Sequence, residues 1–334
     1  MIEKYNSGLE RPMTAERRRV RSGQSFQLHA RDSTNLNRFV CSAIRGRIST
    51  PLATGPGFVW TVQRMWKAFR SMSCAFVLSS LLAQTNVLGV EIIAHRGASF
   101  DAPENTLSAM KLAWEQKADA IELDLWLSKD GELIVFHDAD TKRFEPTARK
   151  ISSLTWRETQ VLDVGNWKGA QFKNERIPTL ESILATMPPG KKAVLEIKCG
   201  PEIVPELQRV IRATGCAPKQ LVIISFNFDA LNESKKTFPD VPHLFLHDYK
   251  KDAKTDQFPE LQPLIARAQA AKFDGLNLQF RWPINKDLVS EVKRAGLQLF
   301  VWTVDDAAVA KRLAEAGVDG ITTNRPEWMR TQLQ

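Results

Sequence analysis

From residue 90 onward the chain alternates short apolar runs with longer amphipathic ones. The short runs are rich in Ile, Val, Leu and Phe. They are Glu91–Ala94, Ala120–Leu127, Ala193–Lys198, Leu221–Ser225, His243–His247, Gly275–Gln279, Gln298–Thr303 and Gly320–Thr323. Their length and composition predict strands. Helix-length segments lie between them: Glu104–Gln116, Glu202–Ala213, Glu260–Ala271, Lys286–Ala295 and Asp305–Ala316. Two of these run into Ala295-Gly296 and Ala316-Gly317, where glycine accepts the positive φ that closes a helix. Strand and helix taken in turn predict an α/β fold with a parallel sheet and crossover helices. Eight such strands predict a closed TIM-type (β/α)8 barrel rather than an open doubly wound sheet. The sequence has no Gly-x-Gly-x-x-Gly, so the usual dinucleotide fingerprint is missing.

One run breaks the rhythm. Leu133–His137 follows the second strand after only Ser128–Glu132, with Asp130-Gly131 in the middle. That gap cannot hold a crossover helix, so the pattern predicts a hairpin and an inserted antiparallel strand. Residues 139–178 then show little periodicity. An interval of that length in a compact domain predicts a small insertion subdomain over one end of the barrel.

The first ninety residues read differently. Residues 1–64 are rich in Arg, Ser, Thr, Asn and Gly, without a sustained apolar period. Such a stretch buries too little surface to offset chain entropy and predicts a disordered basic extension. At 65–89 a basic start (Met65 to Arg70) leads into an apolar core (Ser73 to Ala83) and then Val87-Leu88-Gly89, the three parts of a secretory signal in order. The apolar core is too short to span a bilayer, so no stable transmembrane anchor is expected once the signal is cleaved. The expectation is a secreted or periplasmic domain over 90–334. It carries the corollary that translation starts at Met65 and residues 1–64 are absent from the natural protein.

Charge changes the picture through its location. The net charge is +8. Residues 1–64 hold 11 Lys/Arg against 4 Asp/Glu, 65–89 add Lys67 and Arg70, and 90–334 carry a net −1. The barrel has no basic excess of the kind that marks a nucleic-acid footprint, so no nucleic-acid partner is expected. Of the four cysteines, Cys199 and Cys216 lie in the domain, and none forms a CxxC pair. Two readings stand for that pair: a disulfide in an oxidising compartment, or two free thiols.

Chemistry on such a barrel gathers at the C-terminal strand ends. The first strand ends in His95-Arg96, the second contains Glu122 and Asp124, the hairpin strand ends in His137-Asp138, the third parallel strand contains Glu196 and Lys198, and the seventh ends in Val301-Trp302-Thr303. Glu122 and Asp124 are spaced i, i+2 and share one side of their strand. Two carboxylates inside an apolar strand repel each other and are costly to bury unpaired. A divalent cation resolves this, with Glu196 as third ligand, and an all-oxygen set suits Mg²⁺ or Ca²⁺. The competing reading pairs the carboxylates with Arg96 and Lys198 in a structural ion network. His95 and His137 are the natural proton-transfer pair, whereas His243 and His247 read as structural. Arg96 can hold a phosphate oxygen and Lys198 adds a point charge.

At these residues the chain resembles the glycerophosphodiester phosphodiesterase family. The matching stretches are Ala94-His95-Arg96-Gly97-Ala98, Ala102-Pro103-Glu104-Asn105-Thr106, Ile121-Glu122-Leu123-Asp124-Leu125, Lys129-Asp130-Gly131 and Val135-Phe136-His137-Asp138 with Arg143. Further along come Ile177-Pro178-Thr179-Leu180-Glu181, Leu195-Glu196-Ile197-Lys198, Val301-Trp302-Thr303-Val304 and Gly317-Val318-Asp319-Gly320. They stand in the family's order across 91–328. The resemblance implies hydrolysis of glycerophosphodiesters to sn-glycerol 3-phosphate and an alcohol, with one Ca²⁺ or Mg²⁺. It implies His95 and His137 as acid and base without dividing those roles, Glu122, Asp124 and Glu196 at the metal, Arg96 and Lys198 at the phosphate, and Trp302 against the glycerol. The chain departs from the family in Phe144-Glu145-Pro146, where a Thr-rich run is usual, and in Asn324, where Asp is frequent. Two alternatives remain at this level: a sphingomyelinase-D-like or phospholipase-D-like phosphodiesterase, and a non-catalytic barrel serving as a binding protein.

Overall fold

The computed structural model describes residues 89–334. The disordered extension expected over 1–64 and the export signal expected over 65–89 lie outside the described residues, apart from Gly89.

Among the described residues nine strands and nine α-helices follow in chain order: β1 Glu91–Ala94, α1 Leu107–Glu115, β2 Ala120–Leu127, β3 Leu133–Val135, α2 Trp156–Thr159, α3 Leu180–Leu184, β4 Lys192–Ile197, α4 Val204–Thr214, β5 Leu221–Ser225, α5 Phe228–Thr237, β6 His243–His247, α6 Leu261–Ala270, β7 Gly275–Gln279, α7 Lys286–Arg294, β8 Gln298–Trp302, α8 Ala307–Ala316, β9 Gly320–Thr323 and α9 Pro326–Leu333. The spatial order is β1-β9-β8-β7-β6-β5-β4-β2-β3, and β1 also pairs with β2. Eight parallel strands therefore close on themselves. β3 lies outside the ring, antiparallel to β2, with Leu125 opposite Val135. This is the TIM barrel with an added hairpin strand that the alternation predicts. The hairpin strand stops at Val135, two residues short of the expected His137, because Phe136 makes its last backbone bond to Asp124 O and the chain then turns away.

Strand alternation sorts the side chains into two apolar layers. One set of residues, among them Ile92, Ile121, Leu123, Leu195 and Ile223, packs against the helices in the main core. The alternate set, Ile93, Ala120, Val194, Val222, Ile224, Leu244, Leu246 and Phe300, fills the barrel interior. Fully burying a Leu, Ile or Phe contributes about 1.5–3 kcal/mol, so these layers supply the main stabilisation. Along the second set the interior turns polar toward the C-terminal strand ends. Ala120 gives way to Glu122 and Asp124, and Val194 to Glu196.

The insertion over 139–178 has a small core of its own. Ile151, Leu154, Leu162, Val164 and Ile177 pack with Ile134 and Phe136 of the hairpin. Helices start where a side chain caps them: Thr106 accepts from Ala109 N, Asn227 from Asp229 N and Ala230 N, and Asp306 from Val309 N. Cys199 and Cys216 are free thiols. Among the described residues no helix is long and apolar enough to cross a membrane.

At the opposite end of the barrel, Asp119, Asp274 and Asp319 precede β2, β7 and β9. Each accepts a backbone N–H from the neighbouring strand, those of Ile92, His243 and Leu299. A concavity of about 450 Å³ opens at this end, lined in part by Glu91, Asp119, Lys192 and Asp319. Its charges are matched by cations: Glu91 with Lys192 at 2.9 Å, Asp119 with Arg330 at 2.7 Å and Asp319 with Lys293 at 3.1 Å. It contains none of the residues singled out for chemistry.

Candidate active site

The parallel register of β2 and β4 sets Asp124 directly beside Glu196, with Glu122 one pleat earlier on the same face. Their carboxylate oxygens lie within 4.8 Å of one another. Glu122 and Asp124 are only 3% and 1% exposed, so water screens them little. Burial pushes Glu122 well above the usual carboxylate range, and the charges of Asp124 and Glu196 push the same way. Burial, then the charge of Asp124, raises Glu196 to about 7. Asp124 goes the other way: burial raises it, but Arg96, Lys198, His137 and the Asn105 amide together outweigh burial and hold it low.

The two cations at the strand ends do meet these carboxylates. Arg96 Nε is 3.3 Å from Asp124 Oδ2, and Lys198 Nζ is 3.4 Å from Asp124 Oδ1 and 2.7 Å from Glu196 Oε1. Much of the structural ion network is therefore real, but it does not complete the balance. Three buried carboxylates face two cations, and Arg96 is shared with Glu104 at 3.2 Å. Among the described residues Glu122 makes no ion pair, and it accepts the Arg96 backbone N–H at 2.9 Å. Arg96 Nε is buried without an acceptor in hydrogen-bond geometry. A compact, all-oxygen, charge-deficient trio fits a hard divalent cation such as Mg²⁺ or Ca²⁺.

Both histidines follow strands that flank β2: His95 comes directly after β1, whose next residue but one, Arg96, bonds Glu122, and His137 comes just after β3, the antiparallel partner of β2. Their surroundings differ. His95 Nδ1 is 2.7 Å from Asn324 Oδ1, and desolvation, then the Arg96 charge, lowers its pKa to about 4. His137 Nδ1 is 2.8 Å from the carboxylate of Asp138, which in turn holds Arg143. Trp302, at the end of β8, donates Nε1–H to Asn277 O at 3.2 Å and meets Phe226 edge-on. All eight residues expected at the site, His95, Arg96, Glu122, Asp124, His137, Glu196, Lys198 and Trp302, lie at or near the C-terminal ends of β1, β2, β3, β4 and β8. His243 begins β6 at the opposite end of the barrel, and His247 ends that strand, packed against Phe245 and Trp282. His243 is fully buried between Ser234 Oγ and Val241 O, and His247 bonds to Asp248 O.

Sequence reasoning missed the supporting shell. Asn105, buried and at φ 57°, donates from Nδ2 to Asp124 Oδ2 at 2.7 Å. Glu104 bridges Arg96 and Arg143. The signal was present in Pro103-Glu104-Asn105-Thr106, where a helix N-cap follows two polar residues directly after a site-bearing strand. Arg96 itself sits at φ 54°, a conformation non-glycine residues adopt at a cost, and one that clusters at functional sites.

A closed parallel barrel with convergent carboxylates, two histidines and two cations at its C-terminal mouth has the make-up of a hydrolase for an anionic ester. Comparison with known proteins narrows the class. Residues 95–328 match the model of the Glycerophosphoryl diester phosphodiesterase family. The chain is 37% identical over 243 residues to a glycerophosphodiester phosphodiesterase of Caldanaerobacter subterraneus, covering 71% of this chain and 94% of the relative. It is 30% identical over 266 residues to a glycerophosphodiester phosphodiesterase of Bacillus subtilis, covering 74% and 87%. An Oleispira antarctica phosphodiesterase, solved in complex with the product sn-glycerol-3-phosphate, superposes with a TM-score of 0.65 at 27% identity over 73% of this chain and 96% of that one. The chain belongs to the glycerophosphoryl diester phosphodiesterase family, and it is an enzyme, a phosphoric diester hydrolase.

Proposed function

We propose that this enzyme hydrolyses glycerophosphodiesters to sn-glycerol 3-phosphate and an alcohol. It does so with His95 and His137 as the proton-transfer pair and one Ca²⁺ or Mg²⁺ held by Glu122, Asp124 and Glu196. The observation that carries this is the trio of carboxylates, its oxygens within 4.8 Å, on strands flanked by those that lead to the two histidines. The product seen in the Oleispira phosphodiesterase supports the same outcome here.

Each residue has a task that its surroundings suit. Arg96, whose buried Nε faces Asp124 at 3.3 Å outside hydrogen-bond geometry, and Lys198 bind the phosphoryl oxygens. A cation bound at the trio would offset the negative charge that accumulates on those oxygens. Trp302, partly exposed at its strand end, packs against the glycerol moiety. His95 and His137 move protons to and from the attacking and leaving oxygens. The secreted or periplasmic location suggested by residues 65–89 belongs to the same proposal, and a natural N-terminus near Val90 tests it.

Two product assays separate this reading from a sphingomyelinase-D-like one. Glycerol 3-phosphate release from glycerophosphocholine should be readily measurable. Choline release from sphingomyelin without it would transfer the site to the other class.

A further inference from the structure

His95 does not stand alone at the end of β1. Its Nδ1 lies 2.7 Å from Asn324 Oδ1, and the same oxygen takes the Ser99 hydroxyl at 2.8 Å. On the other side of the amide, Asn324 Nδ2 donates to Asp305 Oδ2, while Asp305 Oδ1 takes the Asn324 backbone N–H at 2.9 Å and the Thr323 hydroxyl at 2.8 Å. β1 and β9 are paired with Ala94 beside Thr323, so His95 and Asn324 are the next residues of two adjacent strands. Barrel closure brings them together across 229 residues of sequence.

The chain of hydrogen bonds has one consistent direction. An ionised carboxylate only accepts, so the amide edge facing Asp305 must be the NH₂. The edge facing His95 is then the oxygen, which also only accepts. Both His95 Nδ1 and Ser99 Oγ must therefore donate to it. Turning the amide over would set its oxygen against the Asp305 carboxylate. With Nδ1 carrying the hydrogen, Nε2 is the free acceptor of the neutral ring.

From this geometry we infer that Asn324, oriented by Asp305, is a positioning residue of the enzyme. It holds His95 in the Nδ1–H tautomer so that Nε2 is ready to take a proton. The inference rests on the proposed catalytic role of His95 and deepens it. A neutral amide in this place fixes the ring without adding charge beside it. Burial, then the Arg96 charge, lowers the His95 pKa to about 4, with the Asn324 hydrogen bond working against them. His137, whose partner is the carboxylate of Asp138, is held in a different way.

The test uses the full chain labelled with ¹⁵N-histidine, with His95→Ala to assign the resonance. Wild type should show Nδ1 of His95 as the protonated nitrogen. Asn324→Leu, which keeps the volume and removes the acceptor, should lose that tautomer preference. Its kcat should fall on the order of tenfold or more, with KM changed by less than about twofold, since proton transfer and not binding is impaired. The swapped pair Asp305→Asn with Asn324→Asp restores an acceptor toward His95 and a donor behind it, and should recover most of the lost kcat. An Nε2–H tautomer in wild type overturns the inference. So does Asn324→Leu with wild-type kcat, or a folded swap no better than Asn324→Leu. If Asn324→Leu does not fold, the wild-type spectrum and the swap still decide. Full activity in His95→Ala overturns the catalytic role of His95 as well, whereas an inactive His95→Ala beside an unimpaired Asn324→Leu overturns only the role of Asn324.

Discussion

His137 Nδ1 lies 2.8 Å from Asp138 Oδ1, so the residue immediately after the histidine in sequence is also the one that orients its ring. The other oxygen of Asp138 takes Arg143 Nε at 2.5 Å, and Arg143 reaches on to Glu104 at 2.7 Å. Burial raises the Asp138 carboxyl, but the His137 hydrogen bond and the Arg143 charge outweigh it and keep it anionic. An anion at this place accepts from Nδ1 and so favours the Nδ1–H ring.

Replacing Asp138 by Asn keeps the shape and removes that charge. We expect kcat to fall on the order of tenfold or more, with little change in KM, because a poorly supported imidazole transfers protons less well. Steady-state kinetics on glycerophosphocholine check this. An unchanged kcat would take His137 out of the proton-transfer pair.

Gly97 shows how tightly the β1 turn is fixed. Its φ is +80°, and a Cβ there would come within 2.6 Å of the Ala109 backbone in α1. The same close approach is bridged by Ala98 N donating to Ala109 O at 3.0 Å. Gly97→Ala should therefore destabilise the fold by about 2–3 kcal/mol through positive-φ strain and overpacking. Urea denaturation measures it, and a loss below about 0.5 kcal/mol would show that the turn can shift freely.

His243 sets a pH dependence of stability away from the site. Desolvation lowers its pKa from 6.5 to about 4 in the fold. A histidine whose folded pKa is depressed is held neutral by the fold. Its contribution is complete above the unfolded pKa of 6.5 and is lost as pH falls from there toward 4, because only the unfolded chain takes the proton. The loss over that window is about 3 kcal/mol. Unfolding free energy measured from pH 7 to 4.5 should decline accordingly, and His243→Gln should decline less steeply from a lower starting value. Parallel curves for the two proteins would contradict the assignment.

The parts of the site legible in sequence are those that lie on strands. Alternation places Glu122, Asp124 and Glu196 on the inward face, where an apolar side chain would be expected, so their polarity is conspicuous in one dimension. His95, His137, Lys198 and Trp302 stand out because each falls just where an apolar run stops. The missed residues act through closure and loops. Asn324 and Asp305 become partners of His95 only because β9 returns to β1, and no local pattern records that. Glu104 and Asn105 lie in a loop whose left-handed turn at Asn105 has no period to read. The first helix begins at Leu107, not at Glu104, because Thr106 caps it and leaves Glu104 and Asn105 free for the site.

In the proposed mechanism Glu122, Asp124 and Glu196 act by holding a divalent cation. The direct measurement is glycerol 3-phosphate release before and after exhaustive chelation of the full chain, then after addition of Mg²⁺ or Ca²⁺. Chelation should lower the rate on the order of a hundredfold, addition of one of the two ions should restore it, and Asp124→Asn should not respond to either. Full activity after exhaustive chelation would contradict the claim and leave the trio as a structural ion network.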